Sequence, residues 1–476
     1  MNKEEICFMP ACDMYDSIKR QELTSQEITE IIIERIEKIN PIINAYCTTT
    51  FELAREMAKN ADLAVRKGEK LGLLHGIPTS IKDLIQTKGI RTTFGSKLYE
   101  NFIPEENDIV VQRLIDTGCV VMGKTNTPDF GHIALTNNLI FGQTKNPWDL
   151  EKNSGGSSGG AAAAVSSGIS PLALGSDGGG SIRIPSSLCG VFGLKPTFGR
   201  IPCYPRIGMA FWSMEHYGPI VRHVKDAALM LNVMKGYHPL DKKSFPDDGI
   251  DYLLSLNNKP KKLNIGYSMD LGFFKLLDQE IEKIVIDNVE KFTKFDWNVE
   301  NAKIKIKNPG NAFGVLARVG ITFDLKKDLM DRREIFSPDL IQIIEAGLTL
   351  NGLDVIKAIS QSKEVYEVFQ RYFNKYDILI TPTTPHPAFK IEMGERGTRF
   401  PIIKKKSLNI ISWMSYTYPF NMTGQPAASI PCGWTSQGLP VGMQIIGKQY
   451  DEKTILQVSK AFEEISPWQD KKPKFN

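Results

Sequence analysis

The spacing of apolar residues near the start of the chain predicts two amphipathic helices. Between Thr24 and Ile39, five isoleucines recur at helical spacing and share one face: Ile28, Ile31, Ile32, Ile36 and Ile39. Thr24 and Glu27 have the spacing of a capping box, which predicts where this helix begins. A second helix is predicted from Phe51 to Lys67, with Gly68 ending it. We therefore expect residues 1–70 to form an N-terminal helical layer.

Beyond Leu73 the pattern changes to short apolar runs, glycines and helical segments that alternate. A helix is predicted over residues 107–116, and another, the last, over residues 452–465. Strands are predicted for the runs CVVMG (119–123), LALGS (172–176), YDILITPT (376–383) and LPVGMQIIG (439–447). This alternation is typical of an α/β protein with helices packed over a sheet. Because no repeat and no low-complexity linker divides the chain, we expect a single domain over residues 1–476.

Composition and charge exclude several functional classes. The chain is 42% hydrophobic and 24% charged, with a net charge of +4. The charges of both signs are spread along the chain and form no dense basic face, so we do not expect direct nucleic-acid binding. The start has no apolar run typical of a signal peptide, and no run of about 20 apolar residues predicts a membrane helix. The seven cysteines are scattered without a histidine cluster, so we expect reduced thiols in a cytoplasmic protein and no metal site.

One segment fits a phosphate-binding pattern by its letters alone. GCVVMGKT (118–125) matches G-x-x-x-x-G-K-T, in which the inner residues form an open loop between a strand and a helix. Here the inner residues are apolar and favour a strand, and Pro128 shortens any helix that begins at Lys124. We therefore do not interpret this segment as a nucleotide site.

A second segment, GGSSG (155–159), satisfies the G-x-S-x-G pattern of α/β-hydrolases. In those enzymes a strand precedes the serine and a helix follows it. The alanine-rich run after Gly160 predicts the helix, but the polar, proline-containing KNPWDLEKN (145–153) does not predict the strand. An esterase that uses Ser157 as its nucleophile remains an alternative.

A third segment, LALGSDGGGSIRIP (172–185), leads from an apolar strand into three glycines and Ser181. Glycines allow close backbone approach and leave N–H groups facing outward. A serine beside free N–H groups offers a nucleophile and an oxyanion hole, the two elements of acyl transfer. The alternative is that this segment has no catalytic role and is only a tight turn that leads to Arg183.

A nucleophilic serine needs a base, and the sequence offers two kinds. The six histidines lie in six separate contexts, and none forms a recognisable serine–histidine–aspartate pattern. Lys82 lies in the apolar run of LHGIPTSIKDLIQTKG (74–89). It either extends from a surface strand to solvent or is buried, and burial would lower its pKa and allow it to act as a base.

Taken together, these segments resemble the amidase signature family of serine hydrolases. The resemblance rests on GGSSGGAAAAVSSG, LALGSDGGGSIRIPSSLCGVFGLKPTFGRIP, LHGIPTSIKDLI, GKTNTPDFG and YPFNMTGQPAASIPCG…GLPVGMQIIG, and it is strongest over residues 72–219. It implies an α/β fold with a large mixed β-sheet core flanked by helices. It also implies that the variable residues 241–385 shape the substrate pocket.

The resemblance implies a Ser-cisSer-Lys triad at defined positions. Ser181 is then the nucleophile, Ser157 the bridging serine after a cis peptide bond, and Lys82 the base. Backbone N–H groups of Gly178, Gly179, Gly180 and Ser181 are expected to form the oxyanion hole. No metal or organic cofactor is expected. The glycines around Ser157 are then a tight catalytic turn and not a flexible linker.

Three flanking residues have expected supporting roles. Asp177 and Arg183 either pair to fix the glycine turn or are two surface charges. Ser158 either supports Lys82 or Ser157 by hydrogen bonding or caps the following helix. Ser176 replaces a threonine that is common in the family, and we expect no contact between Ser176 and the triad.

The resemblance covers stand-alone amidases and also the A subunit of glutamyl-tRNA(Gln) amidotransferase, which releases ammonia from glutamine for a partner. That protein typically continues after KPT with a segment resembling YGRVSR, whereas this chain has FGRIPCYPRIGMAFW (198–212). We therefore favour a stand-alone hydrolase of linear or cyclic amides with a small-molecule substrate, and keep the amidotransferase role as an alternative. A non-catalytic scaffold is a further alternative, against which the intact triad argues; a homodimer is left open.

Overall fold

All four segments predicted as strands lie in one sheet, which has eleven strands among the described residues. The structure is a computed structural model that describes residues 2–205, 208–394 and 397–475. The strands in chain order are β1 (Tyr46–Thr49), β2 (Pro78–Lys82), β3 (Val120–Thr125), β4 (Lys145–Asn146), β5 (Asp149–Asn153), β6 (Leu172–Asp177), β7 (Phe192–Lys195), β8 (His216–Val221), β9 (Asn264–Tyr267), β10 (Asn298–Asn301), β11 (Ile378–Pro382), β12 (Glu392–Gly394), β13 (Gly397–Arg399), β14 (Ile402–Ile403), β15 (Lys406–Ser407), β16 (Ala427–Trp434) and β17 (Pro440–Gly447).

Helices flank this sheet along the whole described chain. They are α1 (Lys3–Cys7), α2 (Ala11–Lys19), α3 (Ser25–Ile43), α4 (Phe51–Arg66), α5 (Ile109–Asp116), α6 (Gly159–Ser166), α7 (Arg183–Cys189), α8 (Val224–Met234), α9 (Tyr252–Ser255), α10 (Gln279–Val289), α11 (Gly310–Asp331), α12 (Pro338–Leu348), α13 (Gly352–Phe373), α14 (Ile410–Trp413), α15 (Pro419–Met422) and α16 (Glu452–Ile465). Short 3₁₀ helices cover Lys97–Tyr99, Asp129–Gly131, Glu290–Phe295 and Arg333–Ile335.

The sheet order is β1-β3-β2-β6-β8-β7-β16-β17-β11-β9-β10. Strands β3, β2 and β6 run parallel to one another, as do β11, β9 and β10, and the remaining neighbours pair antiparallel. The predicted α/β class with a large mixed sheet is confirmed. The parallel group matters for function, because the carboxyl ends of β2 and β6 lie side by side.

The helices follow the predicted patterns closely. Helix α3 begins at the predicted capping box, in which the Thr24 side chain accepts from the Glu27 N–H and the Glu27 carboxylate accepts from the Thr24 N–H. Helix α16 has the predicted bounds, and α4 and α5 agree with prediction to within two residues. Every residue of α6 is buried, which explains its uncharged, alanine-rich sequence. The glycine-serine run before α6 is therefore interior and not a linker.

Two local segments test the sequence patterns directly. The segment 145–153, predicted to lack a strand, contains β4 and β5, which form a separate two-stranded sheet and do not join the main one. That prediction was wrong, because Asn146 Nδ2 donates to Asn153 O and stabilises a small hairpin. The GCVVMGKT segment forms β3 as expected, and its fully buried Lys124 donates to Ile85 O and to Thr87 Oγ1, so it is not part of a phosphate loop.

One contiguous apolar core joins the N-terminal helices to the sheet. It contains buried side chains from Ile6 to Trp468, including Ile28, Ile32, Ile36 and Ile39 of the predicted face of α3, and Ile31 of that face packs against it half-buried. No helix within the described ranges is long and apolar enough to cross a membrane. The seven cysteines are all free thiols. The single-domain assignment for residues 1–476 stays a prediction.

Candidate active site

Lys82 is the last residue of β2 and is fully buried. Its Nζ lies 2.7 Å from Ser157 Oγ, 3.0 Å from Ser176 Oγ and 3.4 Å from Ser176 O. The side chain therefore does not reach solvent, and three oxygen atoms hold its amino group inside the protein.

Burial changes the protonation of this lysine. Desolvation disfavours the ammonium form and lowers the pKa of Lys82 to about 7, although the negative charges of Glu215 and Asp177 act in the opposite direction. At neutral pH a large share of Lys82 is then uncharged. An uncharged amine that is hydrogen-bonded to a serine hydroxyl can accept the proton of that serine.

Ser157 lies in the turn between β5 and α6, next to a cis peptide bond between Gly156 and Ser157. The turn needs glycine for close packing: a Cβ on Gly156 would lie 2.5 Å from the Leu135 backbone. At the start of α6, a Cβ on Gly160 would lie 2.4 Å from the Asn126 backbone nitrogen. Both distances are shorter than side chains tolerate, so glycine is required at these positions.

Ser158 does not take either role expected from the sequence. Its Oγ donates to Ser176 O over 3.1 Å and accepts from Ser176 N over 3.3 Å, and it makes no helix-capping hydrogen bond. Ser176 is a contact partner of Lys82 that the sequence did not reveal. The expectation that Ser176 makes no contact with the triad is wrong. Ser158 therefore holds the end of β6 at the residue that contacts Lys82.

Ser181 follows β6 across the glycine turn and is 7% exposed. Its carbonyl oxygen accepts a hydrogen bond from Ser158 N over 3.2 Å, which places the two serine-bearing turns against each other. Among the described residues there is no direct hydrogen bond between Ser157 Oγ and Ser181 Oγ. Such contacts are often long before substrate binds, so the arrangement is compatible with a relay.

The glycine turn offers fewer free N–H groups than expected. Gly180 N donates to Asp177 Oδ1 over 2.7 Å, because the Asp177 carboxylate folds back over its own turn. This corrects the expected oxyanion hole by removing Gly180. Within the described part of the chain, the N–H groups of Gly178, Gly179 and Ser181 have no protein acceptor.

Asp177 and Arg183 form a fully buried ion pair behind the turn. Arg183 Nε and Nη2 each lie 3.0 Å from a carboxylate oxygen of Asp177, and Asn421 Nδ2 donates to the same carboxylate over 2.8 Å. Burial alone would raise the pKa of Asp177, but the Arg183 guanidinium holds it well below its usual range. Arg183 Nη1 also donates to Gln444 Oε1 of β17 over 2.6 Å. The turn is thereby fixed to an interior strand of the sheet.

A cavity opens in front of Ser181, and we call it the Ser181 cavity. Its walls come from the loop 131–134, Gly179, Ser181, Phe211, helix α11, Ile343 and the segment around α14. Most lining side chains are apolar, including Phe313, Ile411 and Met414, and the charged one is Arg318. No group of three or more histidine, cysteine or acidic side chains in the described ranges could hold a metal ion.

The fold and the site together define a class of protein. A buried lysine bonded to one serine, with a second serine at a cavity beside N–H groups that have no acceptor among the described residues, has the groups that acyl transfer to a serine needs. The chain belongs to the Amidase family, whose model matches residues 27–456. The resemblance inferred from the sequence is confirmed.

Individual relatives cover nearly the whole chain. It is 36% identical to an acylamidase of Rhodococcus erythropolis over 99% of this chain and 98% of the relative. It is 37% identical to the A subunit of glutamyl-tRNA(Gln) amidotransferase from Moorella thermoacetica over 98% and 99%. A bacterial aryl acylamidase structure aligns with a TM-score of 0.90 at 29% identity, covering 97% of both chains. The protein is an enzyme that hydrolyses carboxylic amide C–N bonds.

Proposed function

We propose that Ser181 is the nucleophile, Ser157 the proton relay and Lys82 the general base of this amide hydrolysis. The observation that carries the proposal is the 2.7 Å contact between Lys82 Nζ and Ser157 Oγ in a fully buried site. The lowered pKa of Lys82, about 7, allows the neutral amine to accept a proton near neutral pH.

The reaction then proceeds in two halves. Lys82 takes the proton of Ser157 as Ser157 takes that of Ser181, and Ser181 Oγ bonds to the amide carbonyl carbon. The proton returns through Ser157 to the nitrogen, the C–N bond breaks, and the amine leaves. Water attacks the resulting acyl-enzyme by the same route and releases the acid.

The oxyanion that forms in each half needs hydrogen-bond donors. We assign this role to the N–H groups of Gly178, Gly179 and Ser181. Asp177 uses the N–H of Gly180 and pairs with Arg183, so both residues position the turn and do not contact the substrate.

The Ser181 cavity supports a preference for amides with an apolar acyl group. Phe313 packs against the glycine turn, since a Cβ on Gly179 would lie 2.6 Å from Phe313 Cζ. Ile343, Ile411 and Met414 continue the apolar wall. The substrate class is therefore an acyl amide, linear or cyclic, with its hydrocarbon part in this cavity. Residues 241–385, which supply α11 and Ile343, would set the acyl preference.

The second candidate function is release of ammonia from glutamine, as the A component of an amidotransferase. It is favoured by the 37% identity to the Moorella thermoacetica protein. Glutamine carries both a carboxylate and an ammonium, and the mostly apolar cavity with a single guanidinium suits it less well than a hydrocarbon acyl group. The segment FGRIPCYPRIG differs from the segment typical of the amidotransferase subunit, and two of its residues, Arg206 and Ile207, lie outside the described residues.

A substrate panel separates the two functions. The purified chain should hydrolyse aliphatic and aryl acyl amides on its own, followed by amine or ammonia release. The second candidate function would be established if the protein hydrolysed glutamine but none of the acyl amides, and did so only after amidotransferase partner subunits were added. Size-exclusion chromatography with light scattering would test whether the protein is a homodimer.

We also propose a cytoplasmic location, because all seven cysteines are free thiols.

A further inference from the structure

His132 is the buried polar side chain of the Ser181 cavity that the proposed triad leaves unused. It belongs to the loop 131–134, lines the cavity beside Ser181 and Gly179, and is 5% exposed. None of the six histidines fitted a triad pattern in the sequence, so this residue carried no expectation. The structure brings it to the reacting groups.

The imidazole of His132 has one ring nitrogen engaged and one without a partner. Nδ1 lies 2.7 Å from the carbonyl oxygen of Asp129, and because a carbonyl only accepts, Nδ1 carries the hydrogen. In the neutral ring Nε2 is then a hydrogen-bond acceptor. Nε2 is buried, and no described residue gives it a hydrogen bond. A buried acceptor needs a donor, and because His132 lines the cavity that the substrate enters, the substrate is the candidate donor.

The position of the loop shows which part of the substrate could supply that donor. Gly131 lies against the relay serine, since a Cβ on Gly131 would lie 3.1 Å from Ser157 Oγ. The glycine turn lines the same cavity with Gly179 and Ser181, and the proposed mechanism places the carbonyl oxygen of the substrate at the N–H groups of this turn. The nitrogen of the scissile amide, which must receive its proton from Ser157, therefore lies on the side of His132.

We propose that His132 Nε2 accepts a hydrogen bond from the N–H of the scissile amide, which makes His132 a substrate-binding residue that selects amides over esters. This inference rests on the proposed roles of Ser157 and Ser181. Holding the N–H at His132 directs the nitrogen lone pair toward Ser157, from which the leaving amine takes its proton. An ester has no such hydrogen and gains nothing from His132.

The loop is held firmly enough to serve this purpose. Trp413 Nε1 donates to Ala134 O over 3.3 Å, and Asp129 Oδ2 accepts from Ser337 N over 3.3 Å. Asp129 itself is 1% exposed. These contacts fix both ends of the loop that carries the imidazole.

The test compares matched substrates on His132→Leu and His132→Gln. The substrates are the p-nitroanilide and the p-nitrophenyl ester of butyric acid, which share one acyl group and differ in the N–H. In His132→Leu we expect kcat/KM for the anilide to fall about 3- to 10-fold relative to the ester, the range of one neutral hydrogen bond. In His132→Gln the amide oxygen can replace the acceptor, so the ratio should recover in part.

His223→Leu is the matched control. Its Nε2 is also buried without a hydrogen bond from a described residue, but His223 lies at the start of α8 and not at the cavity. The anilide-to-ester ratio should stay at the wild-type value in this variant. The proposal would be overturned if kcat/KM in His132→Leu fell equally for the anilide and the ester, or did not fall at all. A structural role of His132, or a hydrogen bond from His132 to the substrate carbonyl, would affect both substrates equally.

A binding measurement keeps the inference independent of turnover. In a Ser181→Ala background, the anilide should bind more weakly when His132 is leucine, while affinity for the ester should not change. Wild-type protein that hydrolyses neither substrate would contradict the proposed function. The same wild-type failure with a His132-dependent difference in binding would leave the assignment of His132 standing.

Discussion

The backbone N–H of Ser158 donates to the carbonyl oxygen of Ser181 over 3.2 Å, so the two serine-bearing turns are joined through their main chains. The Ser158 hydroxyl donates to Ser176 O, and Ser176 Oγ accepts from Lys82 Nζ. Three segments far apart in sequence are thus held together without relying on the reacting hydroxyls. Replacing a proposed catalytic hydroxyl should therefore leave the local structure intact, and this makes the chemistry testable by substitution.

We predict that Ser181→Ala removes amide hydrolysis while the protein stays folded. Loss of the nucleophile should lower kcat by about 10⁴-fold or more. A fluorophosphonate should label Ser181 in the wild type, as identified by peptide mass spectrometry, and should not label Ser181→Ala. Ser157→Ala should retain slow labelling at Ser181, because the attacking hydroxyl remains. Labelling at Ser157 with Ser181 unmodified would support the α/β-hydrolase alternative instead.

The pH dependence should report the protonation of Lys82. Burial lowers its pKa to about 7, and the proposed base must be neutral before Ser181 attacks. We therefore expect kcat/KM to be low below this pKa, to rise as the pH passes through about 7, and to level off above it. Measurement from pH 5 to 10 with one amide at subsaturating concentration would show this rise, which we call the acid limb of the pH profile.

Lys82→Arg is the variant that separates a base from a structural cation. Arginine stays protonated at any workable pH, so it cannot accept a proton from Ser157. We expect Lys82→Arg and Lys82→Ala both to lose the limb and most of the amidase rate, with smaller losses for esters. Near-normal activity of Lys82→Arg would be incompatible with the general-base role.

The sequence predicted the elements better than their assembly. The isoleucine pattern of α3 and the apolar runs of β3, β6, β11 and β17 reflect burial that each segment carries in its own residues. The order of the sheet depends on pairing between distant segments. Strand β6, for example, lies between β2 and β8, and no local pattern encodes these two neighbours. The family resemblance supplied the class of sheet, and only the structure supplied the register.

The same distinction applies to the candidate site. Lys82, Ser157 and Ser181 were chosen because whole motifs resemble the family, and the structure brings their segments together. Hydrogen-bond partners were harder to predict: the N–H of Gly180 is used by Asp177, and Ser176 contacts Lys82 against expectation. Each of these contacts depends on angstrom-scale positions after folding, which residue types and spacing do not determine.

Ser176→Ala should weaken catalysis through Lys82. The variant loses the 3.0 Å acceptor at Nζ, which favours the ammonium form, so the pKa of Lys82 should fall and the acid limb should move to lower pH. The plateau of kcat/KM should drop about 3- to 10-fold because the amine is less well oriented. Ser166→Ala is the control: this buried serine donates to Cys189 O over 2.7 Å and does not contact Lys82. An unchanged pH profile in Ser176→Ala would contradict the positioning role.

The buried pair of Asp177 and Arg183 should dominate the stability of the glycine turn. Arg183→Met leaves the Asp177 carboxylate without its cation inside the protein, and we expect the free energy of unfolding to fall by about 3–5 kcal/mol in urea titrations. Asp177→Asn combined with Arg183→Met should cost less than the sum of the single changes, because the double variant removes both charges of the pair. Arg332→Met breaks the partly exposed pair with Asp328 on α11 and serves as the control, with an expected loss of about 0.5 kcal/mol or less. Equal, small losses for Arg183→Met and Arg332→Met would show that the turn does not depend on the buried pair.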